Sequence, residues 1–434
     1  MSWRVFAGTE SVCPVCLRVI AAEKAVGEDG YVYMRKRCPE HGEFTCLIWE
    51  GPLEDYLAWD SAPGGGNAPP VTSPAAAGCP YDCGLCERHE SAGCCVLLEL
   101  TERCNLGCPV CFASAGMARR ADPTLSEIAA LYDMLMARGG PFNIQLSGGE
   151  PTVRDDLPEI VRLGRERGFG FFQLNTNGLR LADEDGYAEK LREAGVSCAF
   201  LQFDGFRETT YAALRGRSLA STKLRAIRNC ALAGLPVVLV PTLVPGVNLD
   251  ETGAILRFAL ENAPHVRGVH FQPVSYFGRC ALEAPALRLT IPRVLREIET
   301  QTGGLMKRAD FAGGGAESAY CSFHASYRLN TDGSLRVLGR RSGCCRSADA
   351  REFVAGRWGA SREPRPDEDG FDRFLREAAE SVFTVSGMVF QDADSLDLER
   401  LRRCYINEAD AEYGMVPFCA YNLTARDGRA LYRR

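Results

Sequence analysis

The sequence lacks long hydrophobic runs: no stretch of about 18 apolar residues occurs, and a membrane-spanning helix needs roughly 20, so no membrane span is expected. The N-terminus also lacks the basic start and apolar stretch of a secretory signal peptide, which predicts a cytoplasmic protein. Positive charge is scarce as well, because 50 Lys and Arg residues stand against 56 Asp and Glu residues, for a net charge of −6. This balance excludes a general nucleic-acid-binding surface, and no nucleic-acid partner is expected.

Cysteine, by contrast, is abundant, with 20 residues in a chain of 434. Disulfides would be one use for so many thiols, but nothing in the sequence marks a secreted protein. The cysteines also fall into close C-x2-C and C-x3-C-x2-C groups, which is the spacing of metal ligands. We therefore expect iron–sulfur chemistry in a reducing, anaerobic cytoplasm.

Composition divides the chain into four predicted parts. Residues 1–60 form a small cysteine-containing module, and residues 61–94 contain a linker rich in Pro, Gly and Ala followed by a cysteine triplet. Residues 95–275 alternate strand-like apolar runs with helical stretches. Residues 276–434 are irregular and carry further cysteines, which predicts an auxiliary-cluster region.

Two cysteine knuckles face each other in the N-terminal module, in the manner of a zinc ribbon or rubredoxin. Cys13 and Cys16 form the first knuckle, and Cys38 with His41 forms the second. They predict a mononuclear site for zinc or iron, with Cys46 as the alternative fourth ligand to His41. A module of this size has too little core to fold readily without a metal.

Nearly continuous apolar strands joined by helices indicate a parallel sheet with right-handed connections. The predicted strands are residues 95–101, 142–147, 170–176, 197–203, 236–243 and 267–272. Helical stretches lie between them, near residues 124–138, 155–168, 186–195, 219–234 and 250–263. We therefore predict an α/β fold with a partial (β/α)6 TIM-like barrel, whose chemistry lies at the C-terminal ends of the strands.

The motif C-x3-C-x2-C occurs twice. Three thiolates at this spacing suit a [4Fe–4S] cluster, and such clusters are normally held by four cysteines. Each triplet therefore takes a fourth ligand from elsewhere or leaves one iron open. The first triplet is Cys79, Cys83 and Cys86, and the second is Cys104, Cys108 and Cys111.

Polar residues end the strands that follow the second triplet. Two glycines after one strand allow a close backbone approach, and the glutamate beside them can accept hydrogen bonds from an ammonium group. Polar side chains at later strand ends offer contacts for a ribose, with helix capping or turn formation as the alternative. These residues are Gly148, Gly149 and Glu150, then Asn175, Thr176 and Asn177, and finally Asp204.

Together these motifs resemble the radical S-adenosylmethionine (SAM) superfamily, in which C-x3-C-x2-C follows the first barrel strand and GGEP the second. The resemblance covers roughly residues 95–275. It implies a cube whose fourth iron is chelated by SAM. The implied ligands are Cys104, Cys108 and Cys111 for the cluster, Gly148, Gly149 and Glu150 for the methionyl amine, and Asn175, Thr176, Asn177 and Asp204 as further cofactor contacts.

The resemblance also implies the chemistry of the enzyme. An external electron donor such as a flavodoxin or ferredoxin supplies the electron that cleaves SAM. The 5′-deoxyadenosyl radical then abstracts hydrogen from an unactivated carbon. The cofactor carries this chemistry, while the protein positions it and excludes water. No catalytic side chain is assigned.

The first triplet has neither a preceding strand nor a GGEP partner, so we interpret Cys79, Cys83 and Cys86 as ligands of an auxiliary cluster. Further ligands lie in two C-terminal stretches typical of β-hairpins, residues 321–340 and 404–422. These cysteines suffice for one or two auxiliary [4Fe–4S] clusters, and their pairing stays open. The candidates are Cys321, Cys345, Cys404 and Cys419, with Cys344, Cys94 and Cys95 as alternatives.

The cysteine framework of nearly the whole chain is similar to that of tetraether lipid synthase and of the methylene-folate-dependent (class D) radical SAM methylases. This narrower resemblance implies C–C bond formation, with methylation or one-carbon insertion favoured and a methylene-folate-type donor as partner. The alternatives are coupling of lipid chains, peptide maturation and, from a different class, an iron–sulfur electron carrier. A long apolar tunnel would favour a lipid, and a short polar pocket would favour a pterin, a sugar or another small molecule.

Overall fold

The computed structural model describes most of the chain, and the statements below refer to that part. The described residues are 2–60, 68–116, 120–282, 288–339, 347–359 and 369–433. The predicted ligand Cys345 and its neighbour Cys344 lie outside them.

The N-terminal module is an antiparallel sheet of four strands in the order β1-β2-β3-β4. These are β1 (Arg4–Val12), β2 (Val19–Val26), β3 (Val32–Cys38) and β4 (Gly42–Trp49). Burial alternates along β3, as expected for a strand with one covered face. The tight turn into β4 needs a left-handed residue, which Gly42 supplies with a φ of 80°.

The remaining strands and the helices follow in chain order. The strands are β5 (Cys95–Glu99), β6 (Val110–Cys111), β7 (Asn143–Ser147), β8 (Phe172–Thr176), β9 (Cys198–Gln202), β10 (Val237–Val240), β11 (Thr242–Leu243), β12 (Val266–Pro273), β13 (Arg279–Cys280), β14 (Ser322–Leu329), β15 (Leu335–Leu338), β16 (Val382–Met388), β17 (Ile406–Asp410) and β18 (Gly414–Pro417). The helices are α1 (Leu53–Trp59), α2 (Leu125–Ala137), α3 (Leu157–Glu166), α4 (Leu179–Asp183), α5 (Tyr187–Ala194), α6 (Glu208–Arg215), α7 (Ala220–Leu232), α8 (Thr252–Glu261), α9 (Ile291–Gln301), α10 (Ser347–Trp358), α11 (Gly370–Glu380), α12 (Leu398–Arg402) and α13 (Phe418–Tyr421).

The second sheet has 12 strands and forms the predicted partial barrel. Its order is β15-β14-β16-β12-β10-β9-β8-β7-β5-β17-β18, and β11 pairs with β12. All six predicted barrel strands are present and parallel in the expected order, with the predicted helices between them. Helix α2 begins with the capping box that its sequence indicates: Glu127 N donates to Thr124 Oγ1, and Thr124 N donates to Glu127 Oε2.

Strands from the C-terminal part of the chain extend this sheet at both edges. Both predicted hairpins are present, as β14–β15 and β17–β18. Strand β17 lies parallel to β5, with Ile406 opposite Cys95, and β16 lies parallel to β12, with Ser386 opposite His270. Strand β16 was not expected from the sequence. The parallel part of the sheet therefore includes two strands from beyond residue 275.

Side chains of the barrel strands alternate between two environments. Along β7, Ile144 and Leu146 belong to the main hydrophobic core, whereas Gln145 and Ser147 line an internal cavity. The same alternation occurs along β5, β8 and β9. Within the described residues, no helix combines the length and the hydrophobicity needed to cross a membrane.

Candidate active site

The second cysteine triplet lies in the loop that follows β5, at the C-terminal edge of the sheet. All three thiols, those of Cys104, Cys108 and Cys111, line the same cavity. Arg279 braces this loop, because its Nε donates to the Cys108 carbonyl oxygen at 2.7 Å and its Nη2 to that of Ala115 at 2.9 Å. Strand β6, which ends at Cys111, also pairs with β13.

The two glycines after β7 allow the cysteine loop to lie directly against this strand end. Gly149 N donates to the Thr101 carbonyl oxygen at 2.7 Å, and Glu150 N donates to that of Arg103 at 2.9 Å. A Cβ at Gly148 would overlap the Thr101 carbonyl oxygen, and one at Gly149 would overlap that of Arg103. The close backbone approach that the glycines predicted is therefore between the end of β7 and the cysteine loop.

Glu150 is a buried carboxylate at the cavity wall, only 2% exposed. Its Oε1 accepts from Thr176 Oγ1 and Thr152 Oγ1 at 2.7 Å each, and its Oε2 accepts from Asn177 N at 2.7 Å. These contacts fix its orientation and tie the end of β7 to the end of β8.

The polar residues at the end of β8 line the cavity and also serve the local fold. Asn175 donates to Gln145 Oε1 at 3.3 Å, and Asn177 Nδ2 donates to Asn105 Oδ1 in the cysteine loop at 2.6 Å. Asn177 Oδ1 also accepts from Leu179 N at 3.0 Å, in a turn that leads into α4. The turn alternative is thus present, and a cofactor contact of these residues stays a prediction.

Arg215 is a site residue that the sequence argument missed. It lines the cavity, and its guanidinium forms two 2.7 Å contacts with Asp204, whose side chain is fully buried. Burial raises the pKa of the Cys108 thiol, and the Arg215 guanidinium acts in the opposite direction. In the sequence, Arg215 stands four residues after Tyr211, which places both on one face of α6. This spacing could have indicated that Arg215 is buried with Tyr211. A direct cofactor contact of Asp204 stays a prediction.

These residues fit a cube with three protein ligands and a chelating amino acid. Three thiols open onto one cavity, and the glycine cradle and Glu150 lie at the same edge. Burial raises the pKa of Cys104 to about 12, so metal binding there has to displace a proton.

The N-terminal knuckles bring four ligand atoms together. Those of Cys13, Cys16, Cys38 and His41 all lie within 4.8 Å of one another, and His41 Nδ1 is 3.4 Å from Cys38 Sγ. Cys46 is not in this group; its thiol is buried in β4 and contacts the Leu47 carbonyl oxygen at 3.6 Å. The geometry favours His41 as the fourth ligand.

The first triplet lies between the N-terminal module and the C-terminal residues. Tyr81 Oη donates to the Leu17 carbonyl oxygen at 2.7 Å. Cys83 N donates to Tyr432 Oη at 3.1 Å, and Tyr432 donates to the Pro80 carbonyl oxygen at 2.5 Å. The segment is therefore held on both sides by protein contacts.

Three of the C-terminal cysteines influence one another's pKa. Burial raises the pKa of Cys404 to about 12, and nearby Cys321 adds to the effect. Burial raises the pKa of Cys419 as well, with contributions from Cys404 and Cys321. Arg400 Nη2 lies 3.4 Å from Cys321 Sγ and supplies a positive charge to this group.

The cavity below the second triplet has a volume of about 770 Å3. Aromatic rings form much of its wall, among them Phe200, Phe323 and Trp358. His270 also lines it and contacts Ser386 Oγ through Nδ1 at 2.8 Å. A row of amide side chains lies along four strands: Gln145, Gln173, Asn175, Gln202 and Gln272.

Comparison with known proteins places this site in a family. The profile of the Radical SAM superfamily matches residues 98–259, and that of the HMPTM N-terminal zinc ribbon domain matches residues 5–50. The chain is 31% identical over 228 residues to a GTP 3′,8-cyclase of Pelotomaculum thermopropionicum, covering 51% of this chain and 68% of that protein. The chain therefore belongs to the radical SAM superfamily.

A higher identity is shared with a methyltransferase. The chain is 44% identical over 310 residues to the 7,8-dihydro-6-hydroxymethylpterin dimethyltransferase of Methanocaldococcus jannaschii, covering 70% of this chain and 60% of that protein. The match thus spans less than two thirds of that relative. The protein is a radical SAM enzyme, so an electron carrier without enzymatic activity is excluded. Its family implies a [4Fe–4S] cluster and SAM, and the ribbon implies a mononuclear metal.

Proposed function

We propose that this enzyme methylates a small, planar, polar heterocycle of the pterin type, forming a C–C bond with a carbon from a methylene-folate-type donor. The observation that carries the proposal is the composition of the cavity. The 44% identity to a dihydro-hydroxymethylpterin dimethyltransferase supports the same substrate class.

The amides along the barrel wall suit a heterocycle rich in nitrogen and oxygen. Each Gln or Asn side chain offers both donors and an acceptor, which is what the edge of a pterin requires. Aromatic walls such as Phe200 and Trp358 suit the faces of a flat ring. A volume of about 770 Å3 is also typical of a small-molecule site. These amides bond in part to one another and to Lys223, and a lipid chain could not satisfy their remaining donors and acceptors, so lipid coupling is disfavoured.

Histidine adds a neutral polar group to the same wall. Burial lowers the pKa of His270 to about 4, so its imidazole is uncharged at neutral pH. Its partner Ser386 lies directly opposite on β16. A neutral imidazole has one donor and one acceptor nitrogen, so His270 can hydrogen-bond a polar substrate.

The cofactor roles follow from the placement of the cysteines. Cys104, Cys108 and Cys111 would hold the cube, and Glu150 would accept the methionyl amine of SAM. When bound, these groups supply the 5′-deoxyadenosyl radical, with the electron coming from a flavodoxin or ferredoxin. The first triplet would hold one auxiliary cluster, and Cys321, Cys404 and Cys419 would contribute to a second. His41 and the three ribbon cysteines would hold zinc.

The test is turnover by the reconstituted, reduced protein with SAM, 6-hydroxymethyl-7,8-dihydropterin and a methylene-folate donor. We expect 5′-deoxyadenosine and a pterin that is heavier by one methylene unit per transferred group. Cys104→Ala should abolish both products, whereas Cys79→Ala should retain some abortive cleavage of SAM. Formation of 5′-deoxyadenosine with an unchanged pterin, together with methylation of a different substrate, would contradict the pterin assignment.

A further inference from the structure

Two consecutive cysteines at the start of β5 form a close thiol pair. Cys94 Sγ and Cys95 Sγ are 3.5 Å apart, and the residues are 0% and 4% exposed. Consecutive side chains of a regular strand point to opposite faces. Here the strand begins irregularly, because Cys94 N and Cys95 N both donate to the Tyr405 carbonyl oxygen, at 2.7 Å and 3.3 Å. This local irregularity lets the two thiols meet.

The thiol of Cys95 opens onto the cavity from the end opposite the cysteine loop. Cys95 lines the cavity at the N-terminal end of β5, and Cys104 lines it beyond the C-terminal end. The strand spans about 13 Å, since each residue rises about 3.3 Å. A flat molecule between these ends therefore has the radical-generating side on one face and Cys95 toward the other. The Cys94 thiol lowers the pKa of the Cys95 thiol, and Gln145 acts in the same direction.

We propose that Cys95 donates a hydrogen atom to a carbon radical in this cavity, with Cys94 as its hydrogen-bonded partner. The proposal rests on the proposed methylation, because a methylene carbon that becomes a methyl group needs a third hydrogen. The pterin radical adds to the methylene iminium carbon of the donor; two electrons from the ferredoxin or flavodoxin and one proton then break the C–N bond, which releases the folate amine and leaves a radical on the transferred carbon. The S–H bond of Cys95 then breaks and a C–H bond forms at this carbon radical. The thiyl radical left on Cys95 takes one electron from the ferredoxin or flavodoxin and one proton from water, which restores the thiol.

The reaction is favourable because a thiol S–H bond is weaker than the alkyl C–H bond that replaces it. The Cys94 thiol, 3.5 Å away, can hydrogen-bond to the Cys95 sulfur both when it is a thiol and when it is a thiyl radical. Cys94 is accordingly a positioning residue, whereas Cys95 contacts the substrate. Because thiol hydrogens exchange with water, the hydrogen donated by Cys95 carries the isotope of the solvent.

The experiment follows this isotope in deuterated water, with 6-hydroxymethyl-7,8-dihydropterin as the probe. With the methylene donor, the methyl group formed by the wild type should carry one deuterium. Without the donor, recovered pterin should carry one deuterium at the carbon that lost hydrogen. Cys95→Ser should still form 5′-deoxyadenosine but lose both labels, and Cys94→Ser should retain the labels at a lower rate.

The outcomes separate this proposal from the methylation itself. A methylated product without solvent deuterium would overturn the role of Cys95 and leave methylation intact. Deuterium in recovered pterin without any methylation would support Cys95 and contradict methylation. Iron content is measured in each variant, because loss of iron from Cys95→Ser would mean that the pair ligates a cluster, and the proposal would then be wrong.

Discussion

Replacing Asp204 by asparagine tests whether a buried ion pair holds Arg215 beside the cysteine loop. Arg215 Nε and Nη2 each lie 2.7 Å from an Asp204 oxygen, and the two side chains are 5% and 0% exposed. Asp204 Oδ1 also accepts from Thr242 N at 3.0 Å. Asparagine keeps the shape of this side chain but removes its charge. Its NH2 group then points toward a hydrogen-bond donor, because both Asp204 oxygens accept from donors.

The expected cost follows from the burial of the pair. Removing one partner of a buried ion pair typically costs about 3–5 kcal/mol, because the other charge is left without compensation. A matched control exists on the surface, where Arg207 pairs with Asp250 at 2.6 Å and the side chains are 45% and 67% exposed. An exposed pair contributes only about 0–1 kcal/mol. Asp204→Asn should therefore lower the free energy of unfolding by about 3 kcal/mol or more, and Asp250→Asn by less than about 1 kcal/mol.

Urea unfolding measures this difference, with metal content determined in the same samples. The midpoint should shift while the slope of the transition stays constant, since a changed slope would mean a change in the unfolding process. The double variant Asp204→Leu with Arg215→Met should recover most of the stability, because a buried pair is replaced by apolar groups. It should not recover 5′-deoxyadenosine formation. Equal costs for Asp204→Asn and Asp250→Asn, or full activity of the double variant, would refute the role assigned to Arg215.

Three further predictions concern the cysteine loop, the ribbon and the cavity wall. Gly149→Ala should lower cluster iron and 5′-deoxyadenosine formation, because its Cβ would overlap a loop carbonyl oxygen; Gly107→Ala, with open space around its Cβ, should retain both. Cys16→Ser should lower the zinc content measured by mass spectrometry, whereas Cys46→Ser should leave it unchanged. Stability should fall from about pH 6.5 to about pH 4, because burial lowers the pKa of His270 and of His89 to about 4 and the unfolded chain is protonated first; His270→Asn should reduce that slope in urea titrations.

The sequence predicted the barrel because its signals are local. Each strand is a short apolar run, and helix α2 begins with its own capping box at Thr124. The cysteine spacing and the glycines at Gly148 and Gly149 are also local, and they identify the site before any folding is considered. The N-terminal knuckles were predictable for the same reason, although only the fold distinguishes His41 from Cys46.

The other parts of the site depend on contacts between distant residues. The amide row is spread over four strands, so Gln145 and Gln272 become neighbours of one cavity only when the sheet forms. Arg215 needs Asp204 across a loop, and His270 needs Ser386 from a strand that the sequence did not reveal. The run that became β16 is largely apolar, but Ser386 and Gly387 interrupt it, and only the fold sets its pairing with β12.

The pairing of β17 with β5 has a consequence for the order in which the protein is made. Strand β5 carries the cysteine loop at its end, yet its outer neighbour is synthesised only near residues 406–410. Contacts of such long sequence separation form slowly. During synthesis, the outer edge of β5 therefore stays unpaired while the cysteine loop already exists. This edge is covered only when β17 docks against it.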